Sequence, residues 1–142
     1  MKAIHIADYI IDSCGENGLY MNYLKLMRVM YFVQAEFLVS ASKKCFEDKI
    51  EAWPSGPVIR SVLKRYGIYG TGAIPLPLKK RIHDIPPDDA VMIDEAVHAC
   101  SQYSAYGLLK IIRQQTPWQT AWQTGGEITC ESLADFFQEE KK

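Results

Sequence analysis

Closely spaced metal-ligand pairs, a nucleophile elbow and a phosphate-binding glycine loop are all missing from this chain, and each absence removes a class of chemistry. The four cysteines, Cys14, Cys45, Cys100 and Cys130, stand far apart with no Cys-x-x-Cys pair. That spacing argues against structural zinc and leaves the expectation of free thiols in a reducing compartment. The three histidines, His5, His83 and His98, are scattered in no pattern that demands a metal, and His98 shares a helix face with Asp94 at i, i+4 as several ordinary surface pairs do. Ser104 and Cys100 have no Gly-x-Ser-x-Gly turn and no base held by a third group. Gly67, Gly70 and Gly72 lead into a proline run in place of the Lys-Thr ending and helix that would hold a phosphate. Asp88 and Asp89 are adjacent at a helix start, where they serve as caps in preference to an acid–base pair. No catalytic residue, cofactor-binding residue or metal ligand is therefore assigned, and the residues favour a protein that binds over an enzyme.

Long apolar runs are also scarce. The stretch 27–41 is interrupted by Arg28, Gln34, Glu36 and Ser40, so no transmembrane helix is expected. The opening residues Met1-Lys2-Ala3-Ile4-His5-Ile6 lack a signal-peptide core, which points to the cytoplasm. Formal net charge is −1, with Lys43-Lys44 and Lys79-Lys80-Arg81 as small solvated clusters, so nucleic acid is not an expected partner.

What is present is a composition of 48% hydrophobic and 23% charged residues over 142 positions, suited to one globular domain spanning 1–142. Ala3, Ile6, Ala7, Ile10, Ile11 and Cys14 recur at helical spacing before Gly15, which reads as a left-handed stop. Asn22 is placed to cap a helix that runs to about Ser42 with apolar residues on nearly every face, the expected axle of the fold. Residues 48–53 alternate as a short strand leading into Pro54-Ser55-Gly56-Pro57, and Pro57 fits the first position of a helix ending at Gly67. Residues 68–87 form a long irregular arm, extended where prolines restrict their neighbours, that either covers the core or carries function. Asp88 or Asp89 caps a further helix through Cys100, and Ser104 caps one presenting Leu108, Leu109, Ile111 and Ile112. Thr116-Pro117-Trp118 starts another that stops at Gly125-Gly126, and Leu133, Phe136 and Phe137 dock the last segment. The expected class is mainly α, a compact domain of about six helices with a small β element.

An ordered set of motifs runs through these elements. It comprises Ala7-Asp8-Tyr9-Ile10, Leu26-Met27-Arg28-Val29-Met30-Tyr31-Phe32-Val33-Gln34, Glu51-Ala52-Trp53 ahead of Gly56-Pro57-Val58, Tyr103-Ser104-Ala105 with Leu108, and Thr116-Pro117-Trp118 with Ala121. From about Ile4 to Phe137 the chain resembles the Panacea domain, also called SocA-like, with Arg28 where a lysine is usual in the family. The resemblance implies a phage- or bacteria-encoded antitoxin that neutralises a toxin encoded beside it through a protein–protein complex. With almost no extension at either end, the contact is expected from the domain itself, and the mechanism from steric occlusion. Tyr31, Gln34, Trp53, Ser55, Pro57 and Arg60 are the expected partner-binding residues, because a rigid corner beside the central helix orders at little entropic cost. Two other functions stay open: an adaptor delivering the bound toxin to an energy-dependent protease, and an enzyme using Cys100 or Ser104.

Overall fold

A computed structural model describes residues 1–141, and at its centre lies helix α2, Tyr23–Ser40. Asn22 starts it as foreseen, its Oδ1 accepting the Lys25 N–H at 2.9 Å. Leu26, Met27, Val29, Met30, Val33 and Phe37 point to several sides of this helix and are all buried. It is surrounded by α1 (Ala3–Glu16), α3 (Arg60–Tyr66), α4 (Pro87–Cys100), α5 (Ala105–Arg113) and α7 (Cys130–Glu140). Helix α6 (Thr116–Thr124) completes seven α-helices among the described residues, one more than the roughly six expected. None of them is long and apolar enough to cross a membrane.

Three short strands form one antiparallel sheet in the order β2-β1-β3, with β1 at Ile50–Trp53, β2 at Gly56–Val58 and β3 at Glu127–Ile128. Ile50 and Ala52 face inward and Glu51 and Trp53 outward, as the alternation predicts. Trp53 pairs with Gly56, so Pro54-Ser55 is a two-residue hairpin tip, and Ile50 pairs with Ile128 on the other edge. Strand β3 is two residues long, too short for any periodicity to announce it.

Three expected boundaries move. Pro57 does not begin a helix: it lies in β2 opposite Ala52, and α3 starts three residues later at Arg60. Gly15 does not stop α1 but lies within it, where a Cβ would fall 2.6 Å from Leu76 Cδ2, so the glycine admits the arm and Gly18 makes the turn with φ +75°. Asp88 and Asp89 do not cap α4, because Pro86 and Pro87 begin it; Asp89 is buried in its first turn and pairs with Lys43 at 2.9 Å.

The arm covers the core. Ile74 is buried, its N–H bonded to Met21 O at 2.9 Å. Arg81 grips the Asp12 carboxylate through two nitrogens at 2.9 and 2.6 Å, and His83 Nε2 lies 2.7 Å from the same group. Asp8 completes this cluster, accepting from Tyr66 Oη and Arg65 at 2.5 Å each. Burial pushes Asp12 up and the Arg81 and His83 bonds pull it down, and the bonds prevail, so its carboxyl stays below the usual range.

Candidate partner-binding site

The hairpin tip is built from the backbone outward. Gly56 has φ +122°, and a Cβ there would come within 3.1 Å of Leu109 Cδ1 and 3.3 Å of Arg28 Nε. Both the conformation and the space therefore demand glycine. On the outward face of β1, Glu51 is a hub that the sequence reading missed. It accepts the Trp53 indole N–H at 2.8 Å and the Arg60 Nε at 2.9 Å, while Arg60 Cζ lies 5.5 Å from the centre of the Trp53 ring. The i, i+2 relation of Glu51 and Trp53 on a strand was the available signal. Trp53 is half-buried, and Ser55 and Arg60 are exposed. These three of the six expected residues do lie together on the surface.

The other three do not. Tyr31 and Gln34 are 0% and 1% exposed, and Pro57 is buried in β2, so none of them presents its side chain to a partner. The reason is that Tyr31 and Gln34 are engaged with other segments in the interior and Pro57 is part of the sheet. Arg28, Tyr31 and Gln34, successive neighbours on α2, each reach a segment of irregular backbone. Arg28 Nη2 donates to Ser55 O at 2.7 Å and Nη1 to Ala105 O at 2.8 Å. Tyr31 Oη donates to Gln115 Oε1 at 2.6 Å, at the entrance to α6. Gln34 Oε1 accepts the Cys45 and Phe46 N–H groups at 2.8 and 3.2 Å, and its Nε2 donates to Phe46 O at 2.8 Å, fixing the loop that feeds β1. A helix read as apolar all round thus carries a polar ladder that holds four connections in place.

Arg28 is unusual within this ladder. It is 7% exposed, its Nε has no partner, and no carboxylate pairs with it among the described residues. Burial, then the nearby Arg113 charge, lower its pKa from the ordinary arginine value. Arg113 itself donates to Pro54 O at 2.7 Å, so two arginines hold the two tip carbonyls.

The candidate nucleophiles lie elsewhere. Ser104 Oγ accepts the Gly107 N–H at 2.9 Å as the cap of α5. Cys100 is buried, and that burial pushes its thiol up to about 11, which keeps it protonated near neutral pH. A groove of about 490 Å³ between α1 and α4 is lined by Cys14, Cys100, Lys25, Asp94 and His98. Within it Asp94 accepts the Tyr9 hydroxyl at 2.8 Å, and desolvation followed by that bond raises Tyr9 to about 12. Asp94 is thus tied across two helices, not merely a solvated partner of His98, and no hydrogen bond joins His98 to either thiol among the described residues.

The family comparison falls on these same elements. Residues 26–119, from α2 through the hairpin to the start of α6, match the family described as antitoxin SocA-like, Panacea domain. Neither a curated protein nor a solved structure matches the chain significantly.

Proposed function

The chain belongs to the SocA-like Panacea domain family, and from that membership we propose that it is an antitoxin acting by direct binding to a protein toxin encoded beside it. The family match carries this reading. Toxin contact is assigned to the hairpin surface of Trp53, Ser55 and Arg60, with Glu51 anchoring Trp53 and Arg60, Arg28 holding the Ser55 carbonyl, and Tyr31, Gln34 and Pro57 acting from the interior. A tip clamped by Arg28 and Arg113 has little conformational freedom left to lose, so binding there orders few groups and the contact free energy is retained. Occlusion of the toxin's working surface is the mechanism such a ledge supports, in the cytoplasm where both products meet.

The geometry around Ser104 and Cys100 supports a non-catalytic reading, since one hydroxyl is engaged as a helix cap and the other group is a buried, protonated thiol. Expression of the adjacent reading frame alone and together with this protein tests the proposal. Toxicity relieved by co-expression, with the two products copurifying, is the expected outcome. A neighbour that is harmless, or that stays toxic and does not copurify, overturns it. Ser104→Ala and Cys100→Ala are expected to leave neutralisation unchanged.

A further inference from the structure

Acidic residues are distributed unevenly along this chain. None occurs between Glu51 and Asp84 or between Glu95 and Glu127, although the whole carries 17 Asp and Glu against 16 Lys and Arg. The fold brings these two acid-free stretches together at the hairpin tip. Arg28 bonds Ser55 O of the first and Ala105 O of the second, and Arg113 of the second bonds Pro54 O of the first.

Helix α5 then lays a stripe beside the tip. Tyr106, Lys110 and Arg113 follow one another at i, i+4 and i+7, and all three are exposed, Tyr106 by 70%. Lys110 and Tyr106 form neither a hydrogen bond nor an ion pair among the described residues, and no carboxylate lies within ion-pair distance of Arg113 or Arg28. Arg60, across the tip, differs in having its charge met by Glu51 at 2.9 Å.

We propose that the surface formed by Tyr106, Lys110, Arg113 and the Pro54-Ser55 tip receives an acidic segment of the protein partner. The inference rests on the antitoxin reading for the existence of that partner and adds its chemistry. Three positive charges, one of them buried and without a counter-ion, create an outward potential that an incoming carboxylate relieves. Tyr106 supplies a flat contact of low entropic cost beside it. Nucleic acid fits less well, because Arg28 is enclosed and the exposed cations are too few for a backbone-tracking stripe.

The test measures the affinity of the purified adjacent-gene product for this protein and for Lys110→Glu, Tyr106→Ala and Lys110→Arg, at about 50 mM and about 500 mM NaCl. Because Lys110 and Tyr106 hold no other group in place, the variants are expected to fold, which circular dichroism checks. The expected result is a loss of about tenfold or more for Lys110→Glu at low salt, narrowing at high salt, with near-native binding by Lys110→Arg and weakened binding by Tyr106→Ala. A complex that forms and is indifferent to Lys110→Glu and Tyr106→Ala refutes this inference and leaves the antitoxin reading standing. Absence of both complex and neutralisation removes the reading and the inference together. A parallel titration with a labelled DNA duplex of about 20 base pairs, long enough to offer a full phosphate track, supplies the remaining arm: duplex affinity abolished by Lys110→Glu while the protein complex is untouched also overturns it.

Discussion

Replacement of Gln34 by leucine tests whether the polar ladder of α2 holds the corner in place. The leucine side chain is close in volume, so the substitution changes hydrogen bonding far more than packing. It strands the N–H groups of Cys45 and Phe46 and the Phe46 carbonyl, all three now bonded to an amide that is 1% exposed. Each buried unpaired group costs about 1–3 kcal/mol, and with partial relaxation the sum is about 3–6 kcal/mol. Total stabilities are on the order of 5–15 kcal/mol, so a large share is removed. In urea, with a slope of about 2 kcal/mol/M, the midpoint is expected to fall by about 2 M. Gln34→Glu supplies a sharper control. Its carboxylate still accepts from the two N–H groups but opposes the Phe46 carbonyl, and as a buried acid its folded pKa lies above the unfolded value of about 4.3. The proton that restores the missing donor is present below that unfolded value, and its stabilising effect is lost as pH rises through the folded one. The Glu variant, compared with wild type at each pH, should therefore recover on mild acidification. A Leu variant less than about 1 kcal/mol weaker than wild type, or a Glu variant with no recovery, refutes the reasoning.

Tyr31→Phe leaves Gln115 Oε1 unpaired inside the core, and chemical denaturation should show a loss of about 1–2 kcal/mol with the fold retained. Gly56→Ala forces an L side chain to φ +122° against Leu109 and Arg28; the strain of about 1–3 kcal/mol should lower Tm by about 3–10 °C and weaken partner binding. Because the folded Asp12 pKa is depressed, its contribution is present above the unfolded value of about 3.9 and is lost as pH falls through the lower folded one. Hydrogen exchange of residues 73–86 should consequently accelerate only in strong acid, whereas Asp12→Asn should produce the same release at neutral pH.

Elements long enough to show a period were legible. The apolar spacing of α1 and α2, the Asn22 and Ser104 caps and the outward face of β1 all follow from local chemistry. The misreadings share one cause, which is that tertiary contacts decide what a local signal leaves open. Pro57 satisfies the conformational rule for a helix start, yet the extended pairing with Ala52 uses the same φ and leaves its missing N–H without consequence. Gly15 looks like a stop until Leu76, distant in sequence, is placed against it. Gln34 carries no hint of its three backbone partners, because residues 45 and 46 reach it only after the chain has turned back.

The burial of Arg28, Tyr31 and Gln34 also separates this motif run from the surface proposed to meet the partner. These residues belong to the motif run on α2, and each acts on a connection, not on solvent. A sequence match that includes them reports that the hairpin, the entrances to α5 and α6 and the β1 approach are held in one arrangement. It is silent on the side chains that arrangement displays. Ser55, Arg60, Tyr106 and Lys110 lie on the surface and contribute little to the core, so substitutions there cost little stability, whereas Trp53 also packs against the core and Arg113 holds the Pro54 carbonyl. A scaffold of this kind can keep its fold while its contact residues change, since the interior ladder fixes the backbone at the tip independently of what the tip carries. Exchange of Tyr106 and Lys110 for acidic residues should therefore alter partner choice with Tm nearly constant, whereas conservative changes at Gln34 should do the reverse.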